Sequence, residues 1–416
     1  MNQLPKHFSP PFLSVFLLLV WGIGTMVYAQ DWSAQTQKFL DQGKVDQAIR
    51  FLKKEGSMHS GDLALQLDLG ALLLSTRQYD EALIHFQKAE TIDPNSASIK
   101  NNIGMVYMAK NNLPKATQYF TDALKLDPKN VDANLNMSEL AFLAGRYEDV
   151  IRFATKVVDT PDKACKGYYK IARAQQAMNK SSEAQKSYRK ALSIDPEYLE
   201  ARNDLGFSLL RDGKTQEAIK AFETAVQQDD QLASAWYGLG VAHFQNRNFK
   251  QAEAAFKAAT FREPALLDGF IYLGLIAREQ GDEERAAKFF RIVLDQAPKN
   301  EQALYNMALS DERLGKEAEA IELYRRTLAV DGNDFRSLNN LAVLLKHKNK
   351  LDEALRLLEK ADALFPANNI KLNMASILIK KQKPGKARAL LQEIENTEPV
   401  SSPLHQAAKE MVQTLN

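Results

Sequence analysis

Hydrophobic positions in this chain recur with a short period inside segments and a long period along the whole sequence. Inside segments, apolar residues follow spacings of three and four, as at Ala218, Phe222 and Ala225, which is typical of one face of an α-helix. Turn-forming residues separate the segments, as at 212–214 and 280–282. The pattern predicts an all-α chain of short amphipathic helices joined by tight turns.

The long period is about 34 residues, a length typical of helical-hairpin repeats, and it starts at Leu63. Its eighth place is always small, because two antiparallel helices approach closely only where side chains are small, and its twenty-fourth place is bulky, which is expected to fill the gap to the next unit. The eighth places are Gly70, Gly104, Ser138, Ala172, Gly206, Gly240, Gly274, Ala308, Ala342 and Ser376. The twenty-fourth places include Phe86, Phe120, Tyr188, Phe222, Phe256, Phe290, Tyr324 and Leu358.

Two units depart from this pattern. The unit from Val131 has Val150 and Ala154 where alanine and an aromatic residue are expected, and the unit from Asn369 is one residue short. After the last unit, Ser402 is a predicted N-cap with Pro403 at the first helical position. The apolar stripe of the following segment predicts a helix that covers the last hairpin.

With Trp236, Leu239 and Gly240 at the head of one unit, these residues resemble the tetratricopeptide repeat family. The resemblance implies an all-α fold, a right-handed superhelical solenoid of about eleven helical hairpins with a C-terminal capping helix. It divides the chain into a degenerate first repeat at 30–62, ten units of this repeat length at 63–402, and a capping helix at 403–416.

The N-terminus carries the sequence features of an export signal. Lys6 and His7 precede an apolar run from Phe12, and Val27-Tyr28-Ala29 suits signal peptidase. Residues 1–29 are therefore predicted to be a signal peptide, and the periplasm is the expected location. The alternative is an uncleaved inner-membrane anchor facing the periplasm, because the run from Phe12 to Tyr28 is at the short limit for a span. Membrane contact is expected only through this segment.

The chain carries no motif that predicts catalysis. Its formal net charge is +2 and it has a single cysteine, Cys165, so neither a phosphate-binding field nor a disulfide framework is expected. No histidine has a second His or Cys at metal-ligand spacing. We therefore predict no enzyme activity, metal, cofactor, nucleic-acid partner or small-molecule substrate.

The resemblance places a partner-binding groove on the concave face formed by the first helix of each unit. In this family the sixth place often carries an asparagine that grips the backbone of an extended peptide, since an amide offers both a donor and an acceptor; the alternative is that these asparagines only cap or solvate the groove. Aromatic and cationic residues nearby are of the kind enriched at interaction hot spots. The candidate groove residues are Asn102, Asn136, Asn306, Asn340, Tyr169, Arg173 and Tyr237.

The expected function is therefore a non-catalytic scaffold that binds a protein or peptide partner in the bacterial envelope, during assembly of a surface or secretion complex. Two alternatives stay open. The chain is then either a non-catalytic subunit of an envelope enzyme such as a polysaccharide synthase or export system, or a eukaryotic luminal repeat protein. The sequence names no partner.

Overall fold

A computed structural model describes residues 31–415, and all regular structure in this range is helical. The predicted signal segment 1–29 lies outside the described residues. The helices of the first half are α1 (Asp31–Asp41), α2 (Val45–Met58), α3 (Leu63–Ser75), α4 (Tyr79–Ile92), α5 (Ala97–Ala109), α6 (Leu113–Leu126), α7 (Val131–Leu143), α8 (Tyr147–Thr155), α9 (Ala164–Ala177), α10 (Ser181–Ile194), α11 (Leu199–Arg211) and α12 (Thr215–Gln228).

The helices of the second half are α13 (Ala233–Gln245), α14 (Phe249–Arg262), α15 (Leu267–Glu279), α16 (Glu283–Gln296), α17 (Glu301–Arg313), α18 (Glu317–Val330), α19 (Phe335–His347), α20 (Leu351–Leu364), α21 (Asn368–Lys380), α22 (Pro384–Thr397) and α23 (Pro403–Gln413). The chain forms two compact units, the first ending at Gln228 and the second beginning at Asp229. In each unit, consecutive helices pair into antiparallel hairpins. The predicted all-α array of hairpins with a C-terminal helix is confirmed.

Sequence-local signals set the ends of these helices. Asp62, Asn130 and Asn300 each accept a hydrogen bond from the backbone N–H three residues ahead and so cap α3, α7 and α17. The turns predicted at 212–214 and 280–282 place Gly213 at φ 72° and Gly281 at φ 80°, a conformation that glycine adopts without steric cost. Each hairpin thus reverses direction within a few residues.

Close approach within a hairpin explains the glycines at the eighth place. A Cβ added at Gly206 or Gly274 would lie only 2.6 or 2.5 Å from the ring of Phe222 or Phe290. The bulky residue of the twenty-fourth place therefore packs directly onto the glycine of its own hairpin, rather than only filling the gap to the next unit as the sequence suggested.

The two irregular units differ from their neighbours in distinct ways. Helix α8 has 9 residues, against 14 in most second helices, and is followed by a 3-10 helix at Pro161–Lys163. Val150 and Ala154 nevertheless occupy the core, each 0% exposed. The atypical side chains therefore keep the packing positions of the repeat, and it is the end of the second helix that is lost.

The residue missing from the last repeat lies between hairpins. Three residues, 365–367, connect α20 to α21, whereas four, 331–334, connect α18 to α19. Every place in α21 therefore moves one residue earlier than the sequence grid assigned. Ala375, which is fully buried, occupies the eighth place instead of Ser376, and the sixth place belongs to Asn373 instead of Met374.

Helix α23 covers the last hairpin, as the sequence predicted. The Ser402 hydroxyl accepts a hydrogen bond from the Leu404 N–H at 3.2 Å, and Pro403 stands at the first helical position. Ala408 is fully buried with Leu391 and Ile394 of α22 in one hydrophobic cluster. The apolar stripe of α23 thus closes the apolar end of the array.

Candidate functional site

The first helices of successive hairpins form the candidate binding surface in each unit. Helices α3, α5, α7 and α9 contact one another in turn in the first unit, and α15 contacts α17 and α19 contacts α21 in the second. We call the partly exposed polar surface of these first helices the first-helix face, separately for each unit. All seven candidate residues lie on first helices.

A side chain at the sixth place repeatedly bonds to the fifth place of the preceding repeat. Asn136 donates from Nδ2 to Oδ1 of Asn101 at 2.9 Å, and Asn373 donates in the same way to Asn339 at 2.9 Å. In a third pair the direction is opposite, because Tyr169 at the fifth place donates to Asp204 at the sixth place of the following repeat. Such bonds hold the sixth-place side chains in fixed rotamers. Sequence reasoning assigned peptide binding to asparagine at the sixth place and named Tyr169 and Tyr237, which are at the fifth, only as hot-spot residues; it did not consider asparagine at the fifth place.

In the first unit, Asn102 and Asn136 keep hydrogen-bonding capacity for a ligand. The partly exposed Asn102 amide makes no hydrogen bond to any described residue. Asn136 uses one N–H on Asn101, and its side-chain oxygen takes no donor among the described residues. Both amides therefore offer an acceptor, and Asn102 a complete donor–acceptor pair.

Tyr169 and Arg173 belong to a partly buried ionic cluster across α7, α9 and α11. Tyr169 donates its hydroxyl to Oδ2 of Asp204 at 3.0 Å, which is the third bond between the fifth and sixth places. Glu139 pairs with Lys170 and with Arg173, and the Arg173 guanidinium lies 4.3 Å from the centre of the Phe142 ring. Arg173 is thus partly committed inside the protein, with its side chain 21% exposed.

Opposing electrostatic effects act within this cluster. Burial disfavours the Glu139 carboxylate, but the charges of Lys170 and Arg173 outweigh it and hold the pKa of Glu139 below its ordinary value. Burial raises the pKa of Asp204 in spite of Arg173 and the Tyr169 hydrogen bond. Burial also lowers the pKa of Lys170, against the attraction of Glu139. The cluster therefore favours the charged form of Glu139 and disfavours the charged forms of Asp204 and Lys170.

In the second unit, Asn306 is fully engaged by the protein itself. Its Oδ1 accepts from Nη1 of Arg278 at 2.8 Å, and its Nδ2 donates to the Gln302 carbonyl at 2.7 Å. Asn306 is only 5% exposed. It orients Arg278 on the first-helix face and has little surface to offer a partner.

Asn340 belongs to a chain of hydrogen bonds that runs from α18 to α21. It donates to the Tyr324 hydroxyl at 3.1 Å and accepts from Asn339 at 3.1 Å. Asn339 in turn accepts from Asn373, whose own side-chain oxygen takes no donor among the described residues. Asn340 therefore anchors this chain of hydrogen bonds, and the side-chain oxygen of Asn373 is the end that stays available to a ligand.

Tyr237 is a core residue in this structure. Its side chain is 2% exposed, and its ring centre lies 5.7 Å from Phe256 and 6.0 Å from Tyr272 in edge-to-face contacts. Burial raises the pKa of Tyr237 well above its ordinary value. The expectation that Tyr237 is exposed in a groove is therefore revised, because it lies against the second helix of its own hairpin.

Other chemical features of the described residues are few. No group of three or more His, Cys, Asp or Glu side chains is arranged to hold a metal ion within residues 31–415. Cys165 is buried, and burial raises the pKa of its thiol. No described helix has both the length and the apolar character needed to cross a membrane.

A fold of stacked helical hairpins with a polar first-helix face defines a helical-repeat scaffold. The sequence matches the family described as "Tetratricopeptide repeat" at residues 35–97, 169–233, 208–265, 237–301 and 305–369, and a second description of that name at 345–412. Because these matches cover more than half of the chain, it belongs to the tetratricopeptide repeat family. That membership makes the chain a scaffold for protein–protein interaction.

Other comparisons add likenesses only. Residues 74–148 match a family described as "Regulator of microtubule dynamics protein 1-3", and no curated protein matches the chain. The APC/C hetero-tetramer Cut9-Hcn1 is 16% identical over 91% of this chain and 88% of that chain, with a TM-score of 0.47. Pseudomonas aeruginosa pilF is 18% identical over 51% and 96%, with a TM-score of 0.47.

YrrB, described as a TPR protein with an unusual peptide-binding site, is 19% identical over 47% of this chain and 97% of that chain, with a TM-score of 0.40. All three TM-scores are below 0.5, so nothing about the function of this chain follows from these likenesses.

Proposed function

We propose that the first-helix face binds an extended segment of a partner protein. The observation that supports this most directly is Asn102, a partly exposed first-helix amide without a hydrogen bond to any described residue. Asn373 offers its side-chain oxygen at the equivalent place of the second unit. An asparagine amide presents one acceptor and two donors, which match the N–H and C=O of an extended peptide.

The bonds between the sixth and fifth places favour this function because they reduce the entropic cost of binding. An amide that is already held, such as Asn373 on Asn339, loses less rotamer freedom when a ligand arrives. Asn306 and Asn340 position other residues of the first-helix face. Asn306 orients Arg278, and Asn340 anchors the chain of hydrogen bonds that ends at Asn373.

We further propose that the chain acts in the bacterial envelope during assembly of a surface or secretion complex. The support is the apolar run from Phe12 that ends in Val27-Tyr28-Ala29, which has the form of an export signal. Cleavage after Ala29 would leave all the residues described for α1, Asp31–Asp41, in the mature chain.

The test uses the tagged full-length chain to capture partners from a detergent-treated extract of the source cells. The double variant N102A/N373A removes both candidate amides, and N95A/N333A removes two exposed amides from the loops between hairpins. We expect the first variant to bind its partner about tenfold more weakly, since each lost hydrogen bond costs roughly 0.5–1.5 kcal/mol. The second variant should bind as the natural chain does.

Thermal unfolding should change little in both variants, because neither removes packed apolar atoms and N373A deletes a single partly exposed hydrogen bond. Equal capture by N102A/N373A and the natural chain would overturn the proposal that the first-helix face binds the partner.

A further inference from the structure

Two lysines lie side by side on the first-helix face of the second unit. Lys346 of α19 donates from Nζ to the Ser376 hydroxyl of α21 at 3.3 Å. Lys380 of α21 is close enough that its charge, together with burial as the larger effect, lowers the pKa of Lys346. Lys346 is partly buried and Lys380 is exposed. Ser376 precedes Lys380 by four residues, about one helical turn, so both lysines lie beside the same hydroxyl at the solvent boundary.

Three lysines on or directly after α19 and α21 have carboxylate partners among the described residues, whereas Lys346 and Lys380 do not. Lys348 lies 2.7 Å from Glu317, Lys381 pairs with Asp352, and Lys371 pairs with Glu393. For Lys346 and Lys380, no carboxylate of residues 31–415 lies within 4.0 Å. Like charges that repel each other in a partly desolvated place gain most from an added anion.

The same two helices carry an amide pair at a fixed spacing from the lysines. Asn339 precedes Lys346 by seven residues, and Asn373 precedes Lys380 by seven. Seven residues are nearly two helical turns, so each asparagine shares a face with its lysine at a distance of about 10 Å along the axis. An extended peptide covers about 10 Å in three residues.

We propose that the α19–α21 part of the first-helix face recognises an extended segment with an acidic side chain. The segment's backbone bonds to the side-chain amide of Asn373, which Asn339 holds in place. A side-chain carboxylate about three residues away lies between the ammonium groups of Lys346 and Lys380. This proposal rests on the proposed function and adds the charge and the register of the segment.

The contrast with the first unit supports the choice of ligand. There, Lys170 and Arg173 of the first-helix face already share the carboxylate of Glu139. In the second unit an incoming carboxylate would neutralise Lys346 and Lys380 as Glu139 neutralises Lys170 and Arg173 in the first. The chemistry that completes the site is therefore an anion on a flexible, extended chain.

The test measures binding of defined fluorescent peptides to the full-length chain by polarisation. Three peptides with blocked ends alternate serine with glutamate, with glutamine or with lysine, so that no terminal carboxylate contributes. The variant K346Q/K380Q removes the lysine pair. The matched control K348Q/K381Q removes two charges close by in sequence, but from lysines with internal partners.

We expect the glutamate peptide to bind tightest, and K346Q/K380Q to weaken that binding about tenfold, since hydrogen bonds to charged groups are worth roughly 1.5–3 kcal/mol. Added salt should have the same effect, and K348Q/K381Q should bind much as the natural chain does. The serine–glutamine peptide should be indifferent to both variants.

Three results would overturn the proposal. In the first, the glutamate and glutamine peptides bind equally, which leaves the proposed function standing without charge selection. In the second, both double variants weaken binding equally, which indicates general electrostatic attraction. In the third, the glutamate peptide does not bind at millimolar concentration; the proposed function is then judged separately by the capture of partners with N102A/N373A.

Discussion

At the scale of single residues, the repeat depends on a few positions where one atom matters. Gly274 is such a position, because a Cβ there would lie 2.5 Å from Cε1 of Phe290. Ala308 occupies the same place in the next repeat, whose bulky residue is Tyr324, and both are fully buried. The place therefore accepts alanine beside Tyr324, whereas a Cβ at Gly274 would overlap the Phe290 ring.

The first prediction is that Gly274→Ala lowers the stability of the second unit by about 1–3 kcal/mol, the usual cost of overpacking. Gly385→Ala is the matched control, because Gly385 also lies in a helix and a Cβ there meets nothing within 4 Å. Alanine should stabilise that helix by up to about 1 kcal/mol. Urea unfolding followed by circular dichroism measures both changes.

Adding Phe290→Leu to Gly274→Ala should restore part of the loss, because the smaller side chain relieves the contact. If Gly274→Ala and Gly385→Ala shift the unfolding midpoint alike, the ring contact does not control the hairpin separation.

Residue types at the candidate site could be predicted from the sequence, but their partners could not. The sixth-place grid identified Asn102 and Asn136 as amides on the first-helix face. It could not show that Asn306 accepts a hydrogen bond from Arg278. That bond joins two successive repeats and depends on how one helix is rotated on the next. The sequence grid also missed Asn373. The sequence shows that the last repeat is one residue short, but only the structure shows that the residue is missing from the loop before α21, which moves Asn373 to the sixth place.

At the scale of helices, the cluster around Glu139 couples α7 to α9 by charge. Glu139 is the carboxylate that both Lys170 and Arg173 face, and its side chain is 13% exposed. Removing one partner of a buried ion pair leaves the other charge uncompensated. The cluster therefore ties the irregular repeat with the short helix α8 to the regular repeat after it.

The second prediction is that Glu139→Gln destabilises the first unit by about 3 kcal/mol at neutral pH. The pKa of Glu139 is lowered on folding, so its contribution is present above the unfolded pKa and is lost as pH falls through the folded pKa. The difference between the natural chain and the variant should therefore shrink below about pH 4. Thermal unfolding between about pH 3 and pH 8 tests this, with the exposed Glu148→Gln as the control. A difference that is independent of pH would contradict the electrostatic explanation.

The third prediction concerns the capping helix. Truncation after Ser401 removes α23 and exposes Leu391, Ile394 and Ala375, which are fully buried in the intact chain. Exposed apolar surface of this kind favours self-association. We expect the truncated chain to lose stability in its last hairpin and to form larger species with rising concentration.

Size-exclusion chromatography with light scattering measures the association, and hydrogen exchange localises the loss of stability to α21 and α22. A truncated chain that stays monomeric and fully protected in α22 would show that α23 is not required as a cap. The cap could be predicted from the sequence because Ser402 and Pro403 are local signals. The shortening of α8 could not, since Val150 and Ala154 keep the core pattern through it.

At the scale of the whole molecule, the chain has 54 basic and 52 acidic residues, and some of them form ion pairs between successive repeats. Arg189 pairs with Glu217 at 2.8 Å and Arg325 with Glu353 at 2.9 Å, and each pair joins the second helix of one repeat to the second helix of the next. Such exposed pairs contribute little each. They leave unmatched charges such as Lys346 as the places where the repeat pattern does not neutralise itself.

The last prediction is that the mature protein begins at Gln30. Signal peptidase selects small residues at the first and third places before the cut, which Val27 and Ala29 supply. Replacement of Ala29 by arginine should therefore leave the precursor uncut and held at the membrane, whereas Gln30→Ala, on the other side of the bond, should be processed normally. Intact-mass spectrometry of the exported chain, with cell fractionation, distinguishes these cases even if the N-terminal glutamine cyclises. An intact Met1 on membrane-bound natural chain would favour the anchored alternative, in which the binding surface works at the membrane rather than free of it.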